Sequence, residues 1–103
     1  MAIKLKTLNA VTVTQAGVRK RLSETSILVY GVSVQSSRTN TGYQYMGDEN
    51  VTSSNGYEFG PTDVAELPPP NGSKEPMQFD IKDVWVDSST AGAEFRISAW
   101  VRV

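Results

Sequence analysis

The sequence contains neither cysteine nor histidine among its 103 residues. Without cysteine it has no disulfides and no thiolate metal ligands. Without histidine it has no Ser-His-Asp triad, no Cys-His pair and no histidine-based zinc site. The usual catalytic groups of small enzymes are therefore mostly missing. We predict a binding or structural module that has no enzyme activity and needs no cofactor or metal.

An excess of charge of either sign is also missing. Ten lysine and arginine residues stand against eleven aspartate and glutamate residues, a formal net charge of -1. This balance excludes a strongly basic nucleic-acid binder that depends on bulk charge. The chain also lacks the run of roughly 18 apolar residues that a membrane span needs, and residues 1–6 are not followed by the apolar segment of a secretory signal. We expect synthesis in a cytoplasm, and neither nucleic acid nor membrane as a partner.

The dominant pattern that is present has a period of two. Apolar residues alternate with polar ones over 95–103, 28–34 and 11–14, which is typical of half-buried strands. Shorter candidate strands cover 42–46, 77–81 and 84–86. The Asn55-Gly56 pair is a strong turn signal, because both residues tolerate positive φ. We predict one all-β domain over 1–103, a small antiparallel β-sandwich or jelly-roll-like barrel.

Two stretches differ from this pattern. Residues 60–76 contain Pro68, Pro69 and Pro70, and consecutive prolines favour an extended segment that cannot donate ladder hydrogen bonds. This stretch is either a surface loop between strands or an arm that reaches a neighbouring subunit. Residues 1–8 are a second candidate for an extended arm, at the N-terminus.

The two tryptophans are the best candidates for contact residues. Trp85 lies between Val84 and Val86, and Trp100 lies between Ala99 and Val101. Strand geometry places each ring on the face opposite its small apolar neighbours. If those neighbours face the core, both rings face outward, and exposed tryptophan is common at interaction hot spots. The alternative is that these strands are covered on both faces.

Three tyrosines, Tyr43, Tyr45 and Tyr57, lie near the Asn55-Gly56 turn in the sequence. Their rings either stack on a sugar or simply stabilise the sheet. The remaining charged clusters favour no specific chemistry. Residues 19–21 (Arg-Lys-Arg) fit a solvated turn better than a nucleic-acid patch, and the aspartates at 80, 83 and 87 match no calcium-loop spacing.

Four segments, in this order, resemble a family of small virion proteins from tailed bacteriophages and prophages. The first is Val11-Thr12-Val13-Thr14 with Ala16-Gly17 after it, and the second is Asn40-Thr41-Gly42-Tyr43-Gln44-Tyr45-Met46-Gly47. The third is Val51-Thr52-Ser53-Ser54-Asn55-Gly56, and the last is Val84-Trp85-Val86-Asp87-Ser88-Ser89 with Gly92 beyond it. The resemblance covers most of the chain from 11 to 100.

This resemblance implies a β-sandwich located on the virion, as a cement or decoration protein that binds the capsid surface and stabilises the shell. The implied partners are the major capsid protein and further copies of the chain, for example in a trimer. The expected contact residues are Ile3, Leu5, Leu8, Tyr43, Tyr57, Pro68, Pro69, Pro70, Trp85 and Trp100. The alternatives are a carbohydrate- or receptor-binding module of a phage tail or fibre, and a neck or baseplate adaptor.

Overall fold

A computed structural model describes residues 2–67 and 78–102. This part of the chain is all β except for one turn of 3-10 helix, Ile81–Asp83. Its strands, in chain order, are β1 (Ile3–Thr7), β2 (Val11–Val13), β3 (Lys20–Arg21), β4 (Leu28–Val29), β5 (Gly31–Ser36), β6 (Gln44–Gly47), β7 (Tyr57–Phe59), β8 (Val64–Leu67), β9 (Phe79–Asp80), β10 (Trp85–Ser88) and β11 (Ala93–Arg102).

Two antiparallel sheets pack into a small β-sandwich, as the sequence predicts. The first sheet has five strands in the order β1-β11-β5-β8, with β2 also paired to β11. The second has four strands in the order β3-β10-β6-β7, and β4 and β9 form a separate two-stranded pair. Because β2 contacts β3 and β7 contacts β8, the two sheets approach each other along both sides of the sandwich.

Strand β11 is the central strand of the five-stranded sheet and follows the predicted alternation over its whole length. Its buried side chains are Ala93, Phe95, Ile97, Ala99 and Val101. The side chains between them point to the other face of the sheet, because successive residues of a strand face opposite ways. The buried row packs against the second sheet, where Phe95 meets Phe59 of β7 edge to face with ring centroids 6.0 Å apart.

Strands β1 and β2 lie one after the other along the same side of β11. The backbone N–H of Leu8 donates to the carbonyl of Ile97 (N···O 3.0 Å), whereas Val11 lies opposite Phe95. Two residues of this edge therefore lie opposite a single residue of β11, which is a β-bulge. The bulge interrupts the edge strand and separates β1 from β2.

The segment predicted as an N-terminal arm is therefore an edge strand. Ile3 lies opposite Arg102 and Thr7 opposite Ser98, so β1 pairs with β11 from end to end. All five of its side chains are nevertheless exposed. The described residues thus leave the side chains of β1 uncovered on both faces of the sheet, although Ala99 and Val101 of β11 opposite it are buried.

The strand predicted over 28–34 is divided in two. β4 pairs with β9, whereas β5 pairs with β11. At the break, Val29 and Tyr30 are adjacent and both buried, which a continuous strand with one buried face does not allow. The prediction of one strand is wrong because the chain changes its pairing partner at Tyr30.

Two further predictions of irregular structure are wrong. Val64–Leu67, inside the predicted proline-rich loop, forms β8 and pairs with β5. Lys20–Arg21, predicted in a solvated turn, forms β3 and pairs with β10. Pairing with a neighbouring strand supplies the order that these short segments do not specify by themselves. The expected contact residues Pro68, Pro69 and Pro70 lie outside the described residues.

A buried polar cluster closes one end of the sandwich. The Asn40 side chain accepts from the backbone N–H of Glu94 (2.8 Å) and donates to the carbonyl of the same residue (2.8 Å). The Asn40 amide also donates to the hydroxyl of Ser36 (2.9 Å), which in turn donates to Gln44 (2.7 Å). Asn40 thus satisfies β11 backbone groups where the strand ladder ends, a structural role that explains its burial.

Candidate functional site

The outer face of the five-stranded sheet carries exposed apolar side chains at one end. Leu5 of β1 lies opposite Trp100 of β11, and Trp100 lies opposite Gly31 of β5. The exposed fractions are 47% for Trp100, 55% for Leu5 and 38% for Ile3. We call these three residues the β1 surface. Neighbouring strands at this register place their side chains side by side on one face, so the three form one continuous patch.

The exposure of Trp100 follows from its position in β11. Its neighbours Ala99 and Val101 are buried in the core, and the alternation of the strand directs the Trp100 ring to the opposite face. In the described part of the chain the second sheet lies on the core side, so the ring stays exposed. The prediction that Trp100 faces outward is confirmed, and the alternative of a strand covered on both faces is wrong for this residue.

The other face of β1 is cationic. Lys4 and Lys6 lie opposite Val101 and Ala99, so their side chains leave β1 on the core side of the sheet. There they line a depression together with Leu28, Arg102 and neighbouring residues. None of the described residues that line this depression is acidic. Two lysines and the exposed Leu28 side chain, 55% exposed, thus lie beside the edge of β1 that no described strand pairs.

Trp85 differs from Trp100 although the local sequences are alike. Val84 and Val86 are buried and Trp85 is half-buried on the outer face of the four-stranded sheet. The guanidinium groups of Arg19 and Arg21 lie over its ring, 5.7 Å and 4.8 Å from the centroid. These distances are typical of cation–π contacts. The Trp85 ring faces outward as predicted, but the two arginines cover part of it.

The three tyrosines do not form one platform. Tyr45 is buried, whereas Tyr43 and Tyr57 are 56% and 58% exposed. Tyr57 lies opposite Met46 of β6. Met46 follows Tyr43 by three residues, and three residues of extended chain span about 10 Å. Alternation also directs Tyr43 and Tyr57 to opposite faces of the sheet. The residues that would stack together on a sugar ring are thus apart.

Tyr45 lies on the same outer face as Trp85 and is covered there. Burial raises the pKa of the Tyr45 phenol above its ordinary value of 10.0, and the nearby carboxylates of Glu58 and Asp87 raise it further, as does Tyr43. Each of these influences disfavours the phenolate. The four-stranded sheet therefore has a largely closed outer face next to Trp85.

Asp80, one of the aspartates considered for calcium, has a structural role instead. The Asp80 carboxylate accepts hydrogen bonds from the Ser26 hydroxyl and from the backbone N–H groups of Lys82 (3.0 Å) and Ile27 (3.2 Å). These bonds, that of Ser26 foremost, lower the pKa of Asp80. Asp80 thereby caps the 3-10 helix and joins it to β4. In residues 2–67 and 78–102, no three potential metal-ligating side chains lie together.

The remaining predicted contact residue, Leu8, is partly buried and packs against the core. Lys4 and Lys6 lie within the N-terminal segment predicted to make contacts but were not named individually, and Leu28 was not predicted as part of an accessible surface. Their signal was available for β1, because Ile3-Lys4-Leu5-Lys6-Thr7 alternates apolar and polar residues. For Leu28 no local signal existed, because its position depends on the pairing of β4 with β9, outside the two larger sheets.

No helix in the described part of the chain is long and apolar enough to cross a membrane. No family model, no curated protein and no solved structure matches this chain.

Proposed function

We propose that this chain is a structural protein of a tailed-bacteriophage particle that attaches to the capsid surface and stabilises the shell without catalysis. The observation that carries the proposal is the exposed apolar patch of the β1 surface, with Trp100 at its centre. The resemblance of the sequence to small virion proteins indicates the class of partner, a capsid protein. Monomeric proteins rarely leave large apolar side chains grouped on one face unless that face binds something.

The proposed mechanism is stoichiometric binding. The exposed part of the Trp100 ring, 47%, is buried against the major capsid protein together with Leu5 and Ile3. At about 25 cal/mol per Å² of apolar surface, covering the rest of a tryptophan contributes on the order of 2 kcal/mol. Such a contact is weak alone, and self-association of the subunits multiplies it into firm attachment.

The test is reconstitution of attachment on undecorated capsid shells. Purified protein is mixed with the shells, and the bound copies are counted by quantitative gel analysis and located by imaging. We expect on the order of hundreds of copies per shell, a number set by the shell symmetry. Absence of binding contradicts the proposal. Binding to whole particles in the low tens of copies at most favours a neck or baseplate adaptor instead.

The contribution of the β1 surface is tested with Trp100→Ala. We expect attachment to weaken by about tenfold or more, as for a hot-spot residue, while the variant stays folded. Val18→Ala is the matched control, because Val18 is also apolar and 56% exposed but lies outside the β1 surface. Leu5→Glu is a second, edge-strand variant with the same expected loss. Equal attachment of all variants places the contact elsewhere, and binding to a glycan array favours a receptor-binding module.

A further inference from the structure

The free edge of β1 presents backbone groups that no described strand pairs. Because the Leu8 N–H donates to Ile97 across the strand pair, the alternation of an antiparallel ladder directs the N–H and C=O groups of Lys4 and Lys6 toward β11 as well. The groups of Ile3, Leu5 and Thr7 then point away from the sheet. These N–H and C=O groups have the spacing of a strand edge and can form hydrogen bonds with an extended chain.

The side chains around this edge differ in chemistry between its two sides. On the outer side, Leu5 lies beside Trp100 and Ile3 lies beside Arg102. On the core side, Lys4 and Lys6 line the depression that contains no acidic residue in the described chain. An added strand that places its side chains on both sides of β1 therefore meets the apolar Ile3 and Leu5 on one side and the cationic Lys4 and Lys6 on the other.

A second copy of β1 fits this edge poorly. Full-length antiparallel pairing of two β1 strands with continuous sheet faces places Lys4 opposite Lys6 of the second copy. Like charges directly opposite each other destabilise a strand pair. Lysines on an edge strand commonly prevent such self-pairing, and the same residues favour a partner of opposite charge.

We propose that β1 accepts an extended strand of the major capsid protein in which acidic residues alternate with apolar ones. The acidic side chains lie opposite Lys4 and Lys6, and the apolar ones lie beside Leu5 and Trp100. Backbone hydrogen bonds form with Ile3, Leu5 and Thr7. This inference rests on the proposed function for the source of the strand, whereas its chemistry follows from β1 alone.

The first test uses a short synthetic peptide of alternating valine and glutamate, titrated into the full-length isotope-labelled protein. By NMR we expect chemical-shift changes over β1 and slower amide exchange for Ile3, Leu5 and Thr7. A control peptide with lysine in place of glutamate should have an affinity at least about tenfold lower. The difference in affinity between the two peptides should shrink at high salt. Equal binding of the two peptides overturns the proposal.

Two variants separate strand pairing from general attraction. Lys4→Glu combined with Lys6→Glu should reverse the preference between the two peptides. Thr7→Pro removes an N–H that points away from β11, which an edge strand tolerates, and should abolish peptide binding with an unchanged denaturation midpoint. A concentration-dependent dimer of the wild type that Thr7→Pro abolishes shows that a second copy occupies the edge, and overturns the proposal.

The same variants distinguish this inference from the proposed function. If Thr7→Pro and the double glutamate variant attach to shells as well as wild type does, while Trp100→Ala does not, the capsid role stands and the added strand is wrong. If the glutamate peptide binds selectively but shells do not bind the protein, the strand-binding edge stands and the capsid role is wrong.

Discussion

The outer faces of the two sheets carry one tryptophan each, and they use it differently. Trp100 has Leu5 and Gly31 as cross-strand neighbours and stays nearly half exposed, at 47%. Trp85 has Arg21 beside it and is covered by two guanidinium groups. Both rings lie between small apolar residues in the sequence. What differs is the strand that each one pairs with.

This difference separates a binding surface from a stabilising contact. Stacking of arginine on Trp85 covers its ring with groups of the same chain, so that ring contributes to the stability of the four-stranded sheet. Trp100 has no such cover among the described residues that pair with it. Its apolar area is left for a partner, which is why we assign attachment to the β1 surface and not to Trp85.

The largest expected effect on stability comes from Trp85→Ala. We expect the free energy of unfolding to fall by about 2 kcal/mol, because the variant loses a half-buried ring and its cation–π contacts. Trp100→Ala, the matched control, should lose less than about 1 kcal/mol, since surface substitutions change stability little. Urea denaturation of the two variants measures the difference, and equal losses break the comparison.

A smaller effect is expected when the cover of Trp85 is removed. Arg21→Ala should lower the free energy of unfolding by about 1 kcal/mol and expose Trp85 to solvent, so that its fluorescence shifts to the red. Arg96→Ala is the control, because Arg96 forms an exposed ion pair with Glu94 (3.4 Å) and such pairs contribute about 0–1 kcal/mol. An unchanged Trp85 spectrum in Arg21→Ala argues against the stacked cover.

The smallest effect concerns pH and the covered face around Tyr45. Its pKa is raised in the folded protein by burial and by Glu58 and Asp87, so the folded state keeps a proton that the unfolded chain releases above about pH 10. The unfolded state then binds fewer protons, and stability should fall as the pH rises above that value. Tyr45→Phe should flatten this dependence in denaturation curves at several alkaline pH values; an unchanged slope means that Tyr45 does not cause it.

Much of the fold could be predicted because long strands carry their own pattern. The alternation from Phe95 onward predicts β11 and its buried side, and the structure confirms both. Short elements could not be predicted in this way. β8 has four residues and β3 has two, too few for a period to be distinguished, and each is ordered by the neighbour with which it pairs.

The candidate site was predictable in part. The outward direction of Trp100 follows from the period of two in β11. The exposure of Leu5 does not follow from the period in β1, because all five side chains of that strand are exposed and the lysines, not the apolar residues, lie on the core side. That Trp100 and Leu5 are neighbours could not be predicted, because they are far apart in the sequence and meet through strand pairing. The depression beside β1 has the same origin, because its lining residues Lys4, Leu28 and Val101 come from three separate parts of the chain.

The sequence by itself determined an all-β chain, the buried side of its longest strand and the lack of cysteine and histidine chemistry, because these depend on composition and on side-chain alternation within a strand. Only the tertiary structure decided which tryptophan is covered, which edge no described strand pairs and where the two lysines lie beside it. Those properties depend on which strands become neighbours. Strand order is set by packing of the whole core and is not encoded in any one segment.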